Sequence, residues 1–208
     1  MYGLVPTSEC WGHTVATRIA TVIQREVDLA APDGVMKTFI FHPEHGGPHP
    51  VVLYLMDAPG IRGALRDMAR RLAAAGYYVM LPNLYYRAGQ FEELGMSDED
   101  AHRRMELMAT VTPTNIVSDA KALLAAAADD PAAGDGPVGA VGFCMSGGLA
   151  LSVARALPER VAAVASIHGA WLVRDTEDSP HLGLETVRAE VHVAWGVPDG
   201  TEPAEPIA

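Results

Sequence analysis

The sequence predicts an α/β fold, a mostly parallel sheet with helices on both faces. Three observations lead there. Short apolar runs of strand length alternate with segments of helical period along most of the chain. The run at 51–56 is apolar at consecutive positions, as in a strand buried on both faces, and 161–167 reads as another buried strand. The 208 residues are 49% hydrophobic and 20% charged, which suits one domain with a sizeable core.

The elements follow in order. Residues 1–17 show no period and read as an irregular N-terminal extension, with 18–208 forming a single domain. Cys10, in the extension, reads as a bystander thiol. Segments 19–29 and 35–41 are two strands joined through the turn Pro32-Asp33-Gly34. His42, His45 and His49 follow among prolines and glycines, and read as part of a solvated loop rather than a metal site.

After the strand at 51–56 and the loop Asp57-Ala58-Pro59-Gly60, the apolar residues Ile61, Leu65, Met68, Ala69 and Leu72 recur at helical spacing. Arg62, Arg66, Asp67 and Arg70 lie on the other face, and Gly76 closes the helix. A strand at 77–81 leads into the loop Pro82-Asn83-Leu84-Tyr85-Tyr86-Arg87. Ser97 is placed to cap a helix running to 108, with Glu99 and Asp100 in its first turn. A second helix spans 114–128 and stops at Asp129-Asp130-Pro131. Further strands are expected at 138–141, 161–167 and 191–195, a helix at 147–157, and long connections at 170–184 and from Gly196 onward.

The segment joining 138–141 to the helix at 147–157 carries the chemistry. Gly142-Phe143-Cys144-Met145-Ser146-Gly147-Gly148 reads as strand, abrupt turn, helix. A turn this tight needs small residues around the one it presents, and Gly142 and Ser146 stand two positions either side of Cys144. Such a turn lifts one side chain above the carboxyl edge of the sheet, with the first amides of a helix behind it. An oxyanion or a thiolate is stabilised there. Cys144 is therefore read as a nucleophile at an elbow, against the alternative of a small buried core residue. Loops starting at Asp57, Pro82 and Gly196 reach the same edge, where reactive groups collect in such sheets.

Bulk properties narrow the function classes. A formal net charge of -11 disfavours a nucleic-acid partner. No apolar run approaches the roughly 20 residues needed to span a bilayer, and the start of the chain has no signal-peptide pattern, so no membrane partner is expected. Two cysteines are too few for a disulfide framework, and a reduced, cytoplasmic setting fits a usable thiol.

With its elbow, its Tyr85-Tyr86-Arg87 loop, its Arg66-Asp67 and Arg70-Arg71-Leu72 helix and its Gly196 to Asp199 loop, the sequence resembles the dienelactone hydrolase family of α/β-hydrolases from about Val22 to Asp199. The resemblance implies a three-layer α/β-hydrolase-type sandwich and ester or lactone hydrolysis through a Cys-Asp-His triad. Cys144 matches the nucleophile and Asp199 the acid, the latter also readable as a plain turn-former. Met145 and Ala58 match the donors of an oxyanion hole. Asp57, Tyr85 and Arg87 fall on the substrate-binding positions, with Arg87 expected to engage both a substrate carboxylate and Asp57.

Two departures stand out. Ser146 occupies a position where glycine is often found. No histidine follows His192, and the family's last strand and closing helix are missing, so the chain is expected either to be truncated or to lack its base. The implied partner is a small ester or lactone bearing a carboxylate, with no cofactor, in a monomer or weak homodimer. The alternatives are a catalytically inactive ligand- or partner-binding relative and, more remotely, a thiol redox protein.

Overall fold

The computed structural model describes residues 21–89, 94–95 and 97–196. The extension expected at 1–17, Cys10 and Asp199 fall outside these residues. Strand β1 (Val22–Ala31) pairs antiparallel with β2 (Gly34–Pro43), and Ala31 faces Gly34 across the turn that Pro32-Asp33-Gly34 foretold. Gly34 has φ +145°, a conformation that residues with a Cβ rarely adopt.

The other strands are β3 (Val51–Leu55), β4 (Tyr78–Pro82), β5 (Val138–Phe143), β6 (Val161–Ile167) and β7 (Glu190–Ala194). The sheet order is β1-β2-β4-β3-β5-β6-β7, with β4 through β7 parallel. The helices are α1 (Gly63–Ala74), α2 (Asp98–Met108), α3 (Pro113–Ala128) and α4 (Gly147–Ala156). Parallel neighbours cannot be joined by tight turns, so α1, α3 and α4 serve as crossovers and cover the sheet. The fold is of the α/β-hydrolase type.

Local signals account for the helix ends. The Ser97 side chain accepts from the Asp100 amide, and Asp98, Glu99 and Asp100 fill the first turn of α2. Thr112 and Asn115 form a reciprocal capping box on α3, with Pro113 at the first helical position.

Burial distinguishes the centre of the sheet from one side of it. Every residue of β3 and β4 is buried. In β5, Val138, Ala140 and Gly142 are buried beneath α4, while Gly139, Val141 and Phe143 are only half-buried. The latter, with Tyr54, Ile167 and His192, line an open groove beside Met68 and Leu72 of α1. Segment 161–167, expected to be a buried strand, is therefore covered on one face among the described residues.

The histidine-rich stretch also differs from expectation. His45 is exposed, but His42 and His49 are 7% and 6% exposed. His42 is the penultimate residue of β2, and its ring stacks on Tyr78 at 5.7 Å. The His49 backbone pairs with Ala132 and Gly134. Proline and glycine composition indicated a loop, but pairing of β2 with β1 buries His42, and backbone pairing with Ala132 and Gly134 buries His49.

Candidate active site

The elbow forms because its backbone leaves no room for alternatives. Cys144 sits at φ +52°, a conformation rare for residues other than glycine and typical of strained functional turns. A Cβ on residue 142 would lie 2.0 Å from the Ser146 carbonyl oxygen, and one on residue 147 would lie 2.5 Å from Gly169 Cα. Glycine is required at both places by close backbone approach.

Ser146, the departure noted above, is fully buried and fastens the turn. Its Oγ accepts from the Phe143 amide at 2.8 Å and lies 3.0 Å from the carbonyl oxygens of Leu55 and Phe143. A glycine could not make this link between the elbow and the end of β3. The Cys144 carbonyl accepts from the Ala170 amide at 2.8 Å, tying the turn to the loop after β6. Cys144 itself is half-buried, at the amino end of α4.

Ala58 follows β3 and Met145 follows Cys144; both are buried. Tyr85 links them. Its hydroxyl donates to the Ala58 carbonyl at 2.8 Å and touches Met145 Sδ at 3.2 Å. Burial, followed by the nearby Asp57 and Cys144, pushes the Tyr85 hydroxyl well above its usual range, so it stays a proton donor at any physiological pH. Tyr85 is 1% exposed, so the residue expected on the substrate is packed behind the two proposed oxyanion residues.

The expected Arg87–Asp57 pair is not formed. Asp57 is held by both terminal nitrogens of Arg62, at 2.5 and 2.8 Å, five residues along the same loop. Arg87 makes a bidentate pair with Asp119 of α3, both bonds 2.8 Å, and its Nε donates to Asp33 at 2.7 Å. Asp119 is fully buried and also accepts from the Tyr86 hydroxyl at 2.8 Å. A carboxylate taken wholly out of water requires a cation and several donors, and Arg87 with Tyr86 supplies them. Burial works against the Arg87 charge, but Asp119 and Asp33 outweigh it and raise its pKa further. Burial and the bond to Asp119 push Tyr86 up to about 12.

Asp119 was legible as a single acid on the apolar stripe of Ile116, Ala120, Leu123 and Ala127, a pattern the sequence reading passed over.

The connection after β6 carries residues that no motif singled out. It folds back over the elbow, so that a Cβ on residue 148 would lie 2.9 Å from Pro180 Cγ and 3.1 Å from the Trp171 carbonyl oxygen. A narrow cleft opens there, lined by Val111, Met145, Gly148, Trp171, Arg174 and Pro180. His168, just beyond β6, is exposed at φ +40°, and its amide donates to the Ala194 carbonyl at 2.7 Å. His181 Nδ1 lies 2.7 Å from Oγ of the buried Ser179.

The model of the dienelactone hydrolase family matches residues 36–205. The chain belongs to the dienelactone hydrolase family. Among curated relatives, a putative carboxymethylenebutenolidase of Methylorubrum extorquens is 31% identical over 169 residues, covering 81% of this chain and 55% of that protein. One from Synechocystis sp. is 26% identical over 192 residues, covering 91% and 74%. The chain thus spans about half the length of the first relative and about three quarters of the second.

A solved putative dienelactone hydrolase from Klebsiella pneumoniae superposes with a TM-score of 0.73 at 23% identity, covering 83% of this chain and 72% of that one. A dienelactone hydrolase-like promiscuous phosphotriesterase from metagenomic libraries gives 0.68 at 22% identity, covering 86% and 70%. At these identities the structures speak for the shared fold. Among the described residues, no helix is long and apolar enough to cross a membrane.

Proposed function

We propose that this member of the family hydrolyses ester or lactone bonds of a small, carboxylate-bearing substrate with Cys144 as nucleophile. The observation that carries the reading is Cys144 at φ +52° on a turn held by the close backbone approaches at Gly142 and Gly147 and by the Ser146 hydroxyl.

In this reading the Cys144 sulfur attacks the carbonyl carbon, and the carbonyl oxygen takes up negative charge. The amides of Met145 and Ala58 accept that charge, and Tyr85 holds the two residues in register. The carbon–oxygen bond to the alcohol then breaks, the departing alkoxide takes the proton that the Cys144 thiol gave up, and water hydrolyses the thioester, its hydroxyl going to the released acid and its proton back to the sulfur. On the family resemblance Asp199, outside the described residues, is the triad acid, and no histidine follows it in the sequence to serve as the base.

The test is release of p-nitrophenol from p-nitrophenyl acetate, followed for the native protein and for Cys144→Ala. A stoichiometric burst is expected from the native protein only, with turnover at least about 10³-fold lower in the variant. Coincident traces would remove Cys144 from the chemistry, and if both also match buffer alone the catalytically inactive, ligand-binding reading is left.

A further inference from the structure

We infer that Arg174 and Trp171, on the loop after β6, are the specificity-determining residues for the acyl portion of the substrate. Arg174 receives its carboxylate, and Trp171 supplies the surface against which the acyl chain lies. The inference rests on the elbow as the reacting centre and supplies the anchoring role that Arg87, bound to Asp119 and Asp33, leaves open.

Position is the first argument. The amide of Ala170 donates to the Cys144 carbonyl at 2.8 Å, so Trp171 is one residue from a direct bond to the elbow. Trp171 and Arg174 line the same cleft as Met145 and Gly148, the residues that follow the nucleophile. The cleft holds only about 10 Å³, room for roughly one water molecule, so a substrate is sorted at the rim and not in a deep pocket.

Construction is the second. Trp171 adopts φ +57°, uncommon for an aromatic residue, and remains 43% exposed beside the site. The Arg174 guanidinium lies 5.9 Å over the Trp171 ring. The Arg174 amide donates at 2.8 Å to Oγ of Ser179, which is fully buried and also contacts His181. An exposed pair on a free loop would lack this fastening.

Charge is the third. Three other arginines around this edge are engaged: Arg62 by Asp57, Arg87 by Asp119 and Asp33, and Arg104 by the Gly95 carbonyl. Among the described residues, Arg174 has a stacking partner but no carboxylate partner. Arg174 lines both the cleft beside Met145 and the outer groove that holds Asp175 and Glu177, and of these three only Arg174 reaches the cleft. A guanidinium stacked on an indole and free of an ion pair is suited to bind a planar carboxylate through two parallel bonds.

Two measurements test the pair. The first compares kcat/KM for p-nitrophenyl butyrate with that for the singly charged mono-p-nitrophenyl ester of glutaric acid. Arg174→Gln is expected to lower the ratio of charged to neutral ester by about 10- to 100-fold, with Arg174→Lys recovering part of it. An unchanged ratio in Arg174→Gln overturns the assignment.

The second is calorimetric titration of Cys144→Ala with glutaric acid monoamide. Binding is expected in Cys144→Ala and at least about tenfold weaker in the Cys144→Ala/Arg174→Gln double variant. Equal binding, or none in either, overturns the assignment even if no ester is turned over. Turnover insensitive to Cys144→Ala, with binding still dependent on Arg174, would instead retire the nucleophile and keep the anchor.

Discussion

At the scale of single residues, the proposed site is held by hydroxyl groups placed behind the Cys144 turn. Ser146 joins the elbow to the end of β3, and Tyr85 joins Ala58 to Met145. Both are buried, so in the proposed reaction both act as positioning residues. Removing the Tyr85 hydroxyl leaves the ring in its pocket but frees the Ala58 carbonyl. Tyr85→Phe is expected to lower kcat about 10-fold with little change in KM, since one neutral hydrogen bond is worth about 1 kcal/mol. A fall confined to KM would place Tyr85 on the substrate after all. Cys144 and its glycines were plain in seven consecutive residues, because steric exclusion within one turn acts over that distance. The role of Tyr85 was not, because its acceptor lies 27 residues away in another loop.

At the scale of elements, the loop after β4 is anchored through a buried ionic cluster. Arg87 joins it to α3 through Asp119 and to the β1–β2 turn through Asp33. The cluster therefore holds Tyr85 from a distance. Asp119→Asn leaves a guanidinium in a site built for its counter-ion, and is expected to cost about 3–5 kcal/mol of stability, read as a shifted midpoint in urea. The double change Arg87→Met/Asp119→Leu removes both charges and is expected to regain most of that loss. A double variant as unstable as the single one would show that packing at Tyr86, not the charge pair, carries the effect. The elements themselves were legible, with most ends within one to three residues, because capping and periodicity are local. The pairing of Arg87 was not, since the resemblance pointed to Asp57 while Arg62 already satisfied it.

At the scale of the molecule, distant parts of the chain are tied at the end of the sheet opposite the elbow. Asp130, just beyond α3, accepts from the Tyr78 hydroxyl of β4 at 2.7 Å and from the Ala132 amide at 3.0 Å, and it pairs with Arg25 of β1. Burial alone would raise the Asp130 carboxyl, but the Ala132 amide, Arg25 and Tyr78 together bring it below the ordinary carboxylate value. A group whose pKa is lower folded than unfolded stabilises the fold above its unfolded value, near pH 4. It loses that contribution as the pH falls through the folded value. Asp130→Asn is expected to reduce stability at neutral pH and to flatten the loss of stability below about pH 4, measured by urea midpoints between pH 2 and 7. Parallel curves for the two proteins would exclude the linkage.

What the sequence by itself determined is the family, the α/β layering and the presentation of Cys144. Each is specified by signals lying within a turn, a helix or a strand, where sterics and period leave few solutions. What only the tertiary structure decided is who meets whom. It brought Arg87 to Asp119, drew His42 and His49 inward, placed Tyr85 behind the elbow, and folded Trp171 and Arg174 over it. The physical reason is that burial and charge pairing depend on chain segments far apart in sequence. A buried carboxylate recruits the cation that the packed fold brings within reach, and no local pattern names that partner in advance.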